Sequence, residues 1–160
     1  MKNGSTQIKL GSTLFLKAVI VLIAITALVS MIRFPQTEGR AANLDLISIY
    51  KDPFIIYAYI ASTPFFVALF QAIKLQGFVE KNKIFSQAAV KAIRNIKYCA
   101  TAMAFLIGAP LAYLVTALRG KDDIAGGVAG GLFLISIFVI IATTAAYFQK
   151  YLQKKHFVRT

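Results

Sequence analysis

Residues 126–148 read GGVAGGLFLISIFVIIATTAAYF and contain no charged side chain. An α-helix rises about 1.5 Å per residue, so about 20 apolar residues cross a hydrocarbon layer about 30 Å thick. A helix of this length in a soluble protein needs a polar face, which these residues do not provide. The stretch therefore predicts a transmembrane helix.

Three further stretches have the same character. Residues 54–73 and 98–118 carry no charge, and residues 14–32 carry only Lys17. The pattern predicts an all-α integral membrane four-helix bundle that forms a single domain over residues 1–160. The predicted spans are about 13–32, 53–75, 98–118 and 126–148, the connections are 33–52, 76–97 and 119–125, and a basic tail follows at 149–160.

The ends of the first two spans carry local signals. We expect the first helix to begin near Ser12 or Thr13, and Asp52 followed by Pro53 to cap the second. Residues 27–34, ALVSMIRF, lack a small-x-small cleavage pattern, so we interpret the first span as a retained anchor rather than a signal peptide. We expect the Lys17 side chain to extend along the helix to the membrane surface and act as an anchor. None of the predicted spans contains a carboxylate that could pair with it.

The net charge of +12 is concentrated at one end of the predicted spans. The N-terminal end, the connection 74–97 and the tail carry the whole excess, whereas 33–53 and 119–125 are neutral. Lys and Arg favour the cytoplasmic side of short loops, so we expect both termini to be cytoplasmic. The same residues are attracted to the anionic lipids of the inner leaflet. This attraction explains the basic composition without direct binding of nucleic acid.

Two of the predicted spans contain a proline near their middle, and a third contains closely spaced glycines. Pro64 and Pro110 lie near the middle of theirs and predict kinks, which either open a polar cavity around freed carbonyls or only alter helix packing. Small residues spaced by four favour close approach of two helices in lipid. That spacing occurs in the fourth span at Gly126 with Gly130 and at Gly127 with Gly131. The sequence leaves open whether their partner helix belongs to the same chain or to a second copy.

Residues 85–98, FSQAAVKAIRNIKY, have helical periodicity, with Ser86 as a candidate cap and a basic side. We expect an amphipathic helix that lies at the cytoplasmic interface or continues into the third span. Lys91, Arg94 and Lys97 are the candidate residues for binding a soluble cytoplasmic protein. The alternative is an interfacial helix held by anionic lipid.

Known catalytic and metal-binding patterns are missing from the sequence. His156 is the single histidine and Cys99 the single cysteine, so one chain offers too few soft ligands for a metal site. There is no phosphate-binding glycine loop and no recognisable pair of catalytic carboxylates. We therefore expect a protein that is not an enzyme and uses no cofactor.

Two stretches carry a family resemblance. Residues 35–75, PQTEGRAANLDLISIYKDPFIIYAYIASTPFFVALFQAIKL, and residues 82–100, NKIFSQAAVKAIRNIKYCA, resemble the YoaS-like family of small four-span bacterial membrane proteins of unknown function. The resemblance implies a protein of the bacterial cytoplasmic (inner) membrane. It also implies a gene neighbour encoding a helix-turn-helix regulator of the Cro/Xre type.

Three functional hypotheses follow. The first is a non-enzymatic membrane protein that interacts with, or senses through, a soluble cytoplasmic protein such as a helix-turn-helix regulator. The alternative is a small channel or transporter, which with four helices requires a homo-oligomer. The third is envelope sensing by the outer loop 33–52, in which Asn43 caps a short surface helix and Glu38 and Arg40 are the candidate residues.

Overall fold

The protein is described by a computed structural model that covers residues 2–37, 45–117 and 125–159. The elements within these residues are helices. They are α1 (Lys2–Thr37), α2 (Leu46–Tyr50), α3 (Pro53–Glu80), α4 (Gln87–Ala117) and α5 (Ala125–Arg159).

The four long helices are candidate membrane spans by length and composition, as the sequence predicts. In none of them is more than 11% of the most apolar 18-residue window buried inside the protein. Large apolar side chains therefore cover the outer surface, for example Phe15 (69% exposed) and Phe133 (67% exposed). Such a surface suits lipid, and the protein is a multi-pass membrane protein.

The long helices pack in chain order. Within the described residues, the extensive contacts join α1 to α3, α3 to α4 and α4 to α5. The arrangement is thus a row of helices, more open than the four-helix bundle that the sequence predicts. Lipid tails are as apolar as leucine side chains, so no hydrophobic force requires the first and last helices to meet.

Several helix ends differ from expectation, although the caps at Asp52 and Ser86 were predicted correctly. The Phe54 N–H donates to Asp52 Oδ1 at 2.8 Å, and Pro53 occupies the first helical position. The Ala89 N–H donates to Ser86 Oγ at 3.3 Å, and α4 runs without a break from the basic segment into the third span. The first helix begins at Lys2 rather than near Ser12 or Thr13, and no proline before the apolar stretch prevents this extension.

The helices α4 and α5 are longer than a bilayer requires. Their 31 and 35 residues correspond to about 46 and 52 Å, against a hydrocarbon thickness of about 30 Å. Residues 149–159, expected as a tail, are the last turns of α5. Leu152, only 1% exposed, packs there with Val90 and Ile93 of α4. The two helices therefore continue together beyond the apolar region at the basic end.

The residues of α5 that pack on α4 recur at alternating intervals of three and four positions. This spacing is typical of helices that pack at a small crossing angle with interlocking side chains. Its buried and half-buried positions include Val128, Gly131, Ile135, Phe138, Ala142, Ala145, Gln149 and Leu152.

One of the four predicted packing glycines lies against another helix. A Cβ atom on Gly131 would stand 2.8 Å from Leu111 Cδ1 of α4, whereas Gly126, Gly127 and Gly130 have no neighbouring atom within 4 Å of that position. The close approach at Gly131 is therefore within one chain. It holds α4 and α5 together as an antiparallel hairpin.

Replacing Gly131 by alanine tests this contact. We expect G131A to lower the free energy of unfolding by about 1 kcal/mol relative to G130A, because the new methyl group displaces the buried Leu111 side chain. The measurement is thermal or denaturant unfolding in detergent micelles. In a Leu111→Ala background the two alanine variants should become equally stable; a difference that persists there would contradict the contact.

Candidate functional site at the kinked spans and the basic end

Pro110 lies inside the third span, and a tyrosine of a neighbouring helix compensates for the lost hydrogen bond. Proline has no N–H, so the Leu106 carbonyl four residues earlier loses its helical donor. The Tyr57 hydroxyl of α3 donates to this oxygen at 2.7 Å. In lipid no water can replace the lost donor, so the bond both satisfies α4 and fixes it against α3.

The same arrangement occurs between α3 and α1. Pro35, which was expected in a loop, lies inside α1 and leaves the Met31 carbonyl without its helical donor. The Tyr59 hydroxyl donates to Met31 O at 2.9 Å. One turn of α3 therefore supplies hydroxyl groups to proline-freed carbonyls on both neighbouring helices.

The short helix α2 adds a third tyrosine to this region. The Tyr50 hydroxyl donates to Ile32 O at 3.2 Å and accepts from Gln36 Nε2 at 3.2 Å. A short helix was expected here with Asn43 as its cap, but its N-cap is Asp45, and Asn43 lies outside the described residues. Tyr50 thereby ties α2 to the end of α1.

The Ser62 hydroxyl near Pro64 is hydrogen-bonded within its own helix. Ser62, two residues before Pro64, donates to Tyr59 O of its own helix at 2.7 Å. The groove between α1 and α3 beside Pro35 is lined almost entirely by apolar atoms. Of the two expectations for the kinks, altered helix packing agrees with these contacts.

Lys17 has a carboxylate partner, contrary to expectation. Lys17 Nζ lies 2.7 Å from Glu80 Oε1, and the side chains are 36% and 33% exposed. Glu80 was assigned to the connection 76–97, but α3 continues to that residue. Helical side chains lean toward their own N-terminus, so on antiparallel helices these two groups approach each other.

A basic groove lies between the first turns of α4 and the last turns of α5. Lys91 and Arg94 line it together with the amides of Gln87 and Gln153. Both cationic residues are exposed, whereas Val90 on the inner wall is 6% exposed. The groove presents two positive charges beside neutral hydrogen-bonding groups, which suits an acidic ligand surface.

The other predicted site residues do not join this groove. Lys97 is half-buried, with its ammonium 4.8 Å from the centre of the Tyr98 ring. Glu38 and Arg40 lie outside the described residues. Within the described chain, the remaining carboxylates are Asp45 and Asp52 near the opposite end of the helices, and Glu80 is paired with Lys17.

Residues that could hold a metal ion are not gathered in the part of the chain that the structure covers. No three histidine, cysteine, aspartate or glutamate side chains come together there. The arrangement offers hydrogen bonding, cation–π contact and charge attraction instead.

Comparison with known proteins also indicates a membrane protein. The model of a family described as "Protein of unknown function (DUF2975)" matches residues 36–155. The chain is 39% identical over 147 residues to the "Uncharacterized membrane protein YoaS" of Bacillus subtilis (strain 168), covering 89% of this chain and 90% of that protein. No solved structure matches. The resemblance to YoaS-like proteins is confirmed.

Removing the Tyr57 hydroxyl should reveal its role at Pro110. We expect Y57F to lower the free energy of unfolding by about 1 kcal/mol, because the Leu106 carbonyl loses its donor. The same change in a P110A background should have little effect, since the backbone N–H of the introduced alanine restores the helical bond. Unfolding in micelles measures both, with Y113F, at a tyrosine 72% exposed, as the control. Equal losses in the two backgrounds would refute the pairing.

Proposed function

The chain belongs to the DUF2975 family of proteins of unknown function, and we propose that it is a non-enzymatic docking protein of the membrane. In this proposal its basic groove binds a soluble cytoplasmic protein with an acidic surface. The observation that carries the proposal is the groove of Lys91 and Arg94 on α4 and Gln153 on α5.

The first supporting argument is the direction of the side chains. The N-terminus of α4 is its end at the basic side, and helical side chains lean toward the N-terminus of their own helix. Lys91 and Arg94 therefore lean away from the apolar span that begins near Tyr98. Cations held in this way are accessible to a soluble protein rather than to lipid.

The second argument is rigidity. Ala89 and Ile93 of the same turns and Val90 on the inner wall of the groove are at most 6% exposed, and Leu152 of α5 closes the cluster. The backbone under Lys91 and Arg94 is therefore held in place before any partner binds. A preformed surface loses little conformational entropy on association, which favours specific binding.

The third argument concerns the unbalanced charge. Lys17 with Glu80 is the one ion pair within 4.0 Å among the described side chains, so Lys91 and Arg94 have no carboxylate partner there. Unpaired cations steer an acidic partner and raise its association rate. A helix-turn-helix regulator, the gene neighbour that the family resemblance implies, is the first candidate to test.

The orientation belongs to the same proposal. Lys and Arg count 13 at the basic end and 5 in the two opposite connections, a bias that favours a cytoplasmic basic end. Both termini are then cytoplasmic, the protein lies in the bacterial inner membrane, and an anionic leaflet faces its basic residues. The outer connections contain Glu38 and Arg40.

A small oligomeric channel or transporter is the alternative function. Such a pathway needs polar groups that face its lumen. The proline-freed carbonyls of Met31 and Leu106 instead accept hydrogen bonds from tyrosines. The geometry therefore favours the docking function, and liposome flux together with a native mass measurement of oligomeric state tests the alternative.

Charge reversal in the groove tests the docking function. We expect K91E/R94E to reduce recovery of the soluble partner from gently solubilised membranes at least ten-fold, because two attractive charges become repulsive. The matched control K81E/K83E changes the same charge at exposed residues of the α3–α4 turn and should stay within about two-fold. Equal loss in both variants, or no acidic protein recovered with the unchanged chain, would reject the proposal.

A second experiment tests the orientation. Alkaline phosphatase folds only where its disulfides form, outside the cytoplasm. We expect a fusion after Thr160 to be inactive and an insertion after Arg40 to be active. The reverse pattern would place the basic end outside the cytoplasm and remove the proposed partner class.

A further inference from the structure

A second groove lies on the basic end, on the other side of the last turns of α5. Phe85, Tyr151, Lys154, Lys155 and Val158 line it. We propose that this groove binds the phosphate group of one anionic phospholipid. The inference does not depend on the docking function, because it uses a different surface and a different ligand.

The position of the lysines relative to the bilayer is the first step. The apolar stretch of α5 ends at Phe148, and Lys155 follows seven residues later, a rise of about 10 Å. The headgroup layer extends about 5–7 Å beyond the hydrocarbon region. A lysine side chain that reached straight outward from this turn would lie beyond that layer.

The direction of Lys155 brings its charge back to the headgroups. Its ammonium lies 5.1 Å from the centre of the Tyr151 ring, one turn nearer the N-terminus of α5. On α5 that direction points toward the bilayer, because Ala125 at the opposite end begins the helix. Leaning back by one turn, about 5.4 Å, puts the ammonium within the headgroup layer.

The walls of the groove suit a phospholipid better than a free anion. The Phe85 ring lies 5.5 Å from the Lys155 ammonium, so two aromatic rings flank the same cation. Aromatic side chains with a polar neighbour are favoured at the membrane interface. The Tyr151 ring, one turn nearer the bilayer, contacts the glycerol of the lipid, while Lys154 and Lys155 bind the phosphate oxygens.

The groove is also preformed. His156 Nδ1 donates to the Phe85 carbonyl at 2.9 Å, which fixes the turn before α4 onto the last turns of α5. Ile84 and Phe85 pack on the buried cluster that contains Leu152. The described carboxylates form no ion pair with Lys154 or Lys155. A fixed, positively charged groove with apolar walls distinguishes a site for one lipid from general attraction to an anionic surface.

Native mass spectrometry of the detergent-purified protein tests the site. The probes are phosphatidylglycerol, phosphatidylcholine as the zwitterionic comparison, and inorganic phosphate as a competitor. We expect the unchanged chain to retain one phosphatidylglycerol in preference to phosphatidylcholine. In K154Q/K155Q the apparent affinity for phosphatidylglycerol should fall at least ten-fold, as expected from the loss of two cations near a phosphate.

Two further variants separate the site from total charge and from misfolding. K81Q/K83Q removes the same charge at exposed positions and should retain the lipid, and K154R/K155R should retain it because the charge is kept. Equal affinity in K154Q/K155Q and K81Q/K83Q, or binding of many lipids without saturation at one, would overturn the proposal. Displacement of the lipid by millimolar inorganic phosphate would also overturn it, since the site would then recognise phosphate without the lipid.

Discussion

A carbonyl oxygen that has lost its helical donor inside a membrane is stabilised when another donor reaches it. Water is absent from the hydrocarbon region, so the donor has to come from the protein. Pro35 and Pro110 each create such an oxygen, and Tyr59 and Tyr57 each supply the hydroxyl. Both tyrosines belong to one turn of α3, which is why α3 lies between α1 and α4. Two backbone defects are thereby converted into two specific contacts between helices.

Other contacts complete the row of helices at its basic end. The Lys17–Glu80 ion pair joins α1 to α3 there, so α1 is held at two levels although its most apolar window has no buried residue. At 36% and 33% exposure such a pair contributes little energy but fixes the register of the two helices. The hairpin of α4 and α5 relies on shape instead: Gly131 lets Leu111 approach the α5 backbone, and Leu152 closes the cytoplasmic end in our proposed orientation.

Properties that depend on one segment could be predicted from the sequence. The four spans follow from local composition, and the Asp52 cap and the continuity of α4 follow from adjacent residues. The bond from Tyr57 to Leu106 joins residues 49 positions apart and depends on how two helices are rotated, which composition does not contain. The partner of Lys17 was missed for a related reason: a helix need not end where the bilayer ends, so Glu80 was assigned to a loop. A proline four residues after a carbonyl, with a tyrosine on the next span, is a signal that could have identified these bonds.

The antiparallel hairpin gives the same type of residue two different environments. On α4 the N-terminus is at the basic end, so Lys91 and Arg94 lean away from the bilayer; on α5 the N-terminus is at the opposite end, so Lys155 leans toward it. A count of charges alone would place Lys91, Arg94 and Lys155 on one basic surface. In our two proposals, helix direction separates them into cations that meet a soluble protein and cations at the level of lipid phosphate. In both proposals the polarity of the helix that carries a cation, as well as its distance from the membrane, therefore determines which partner the cation meets.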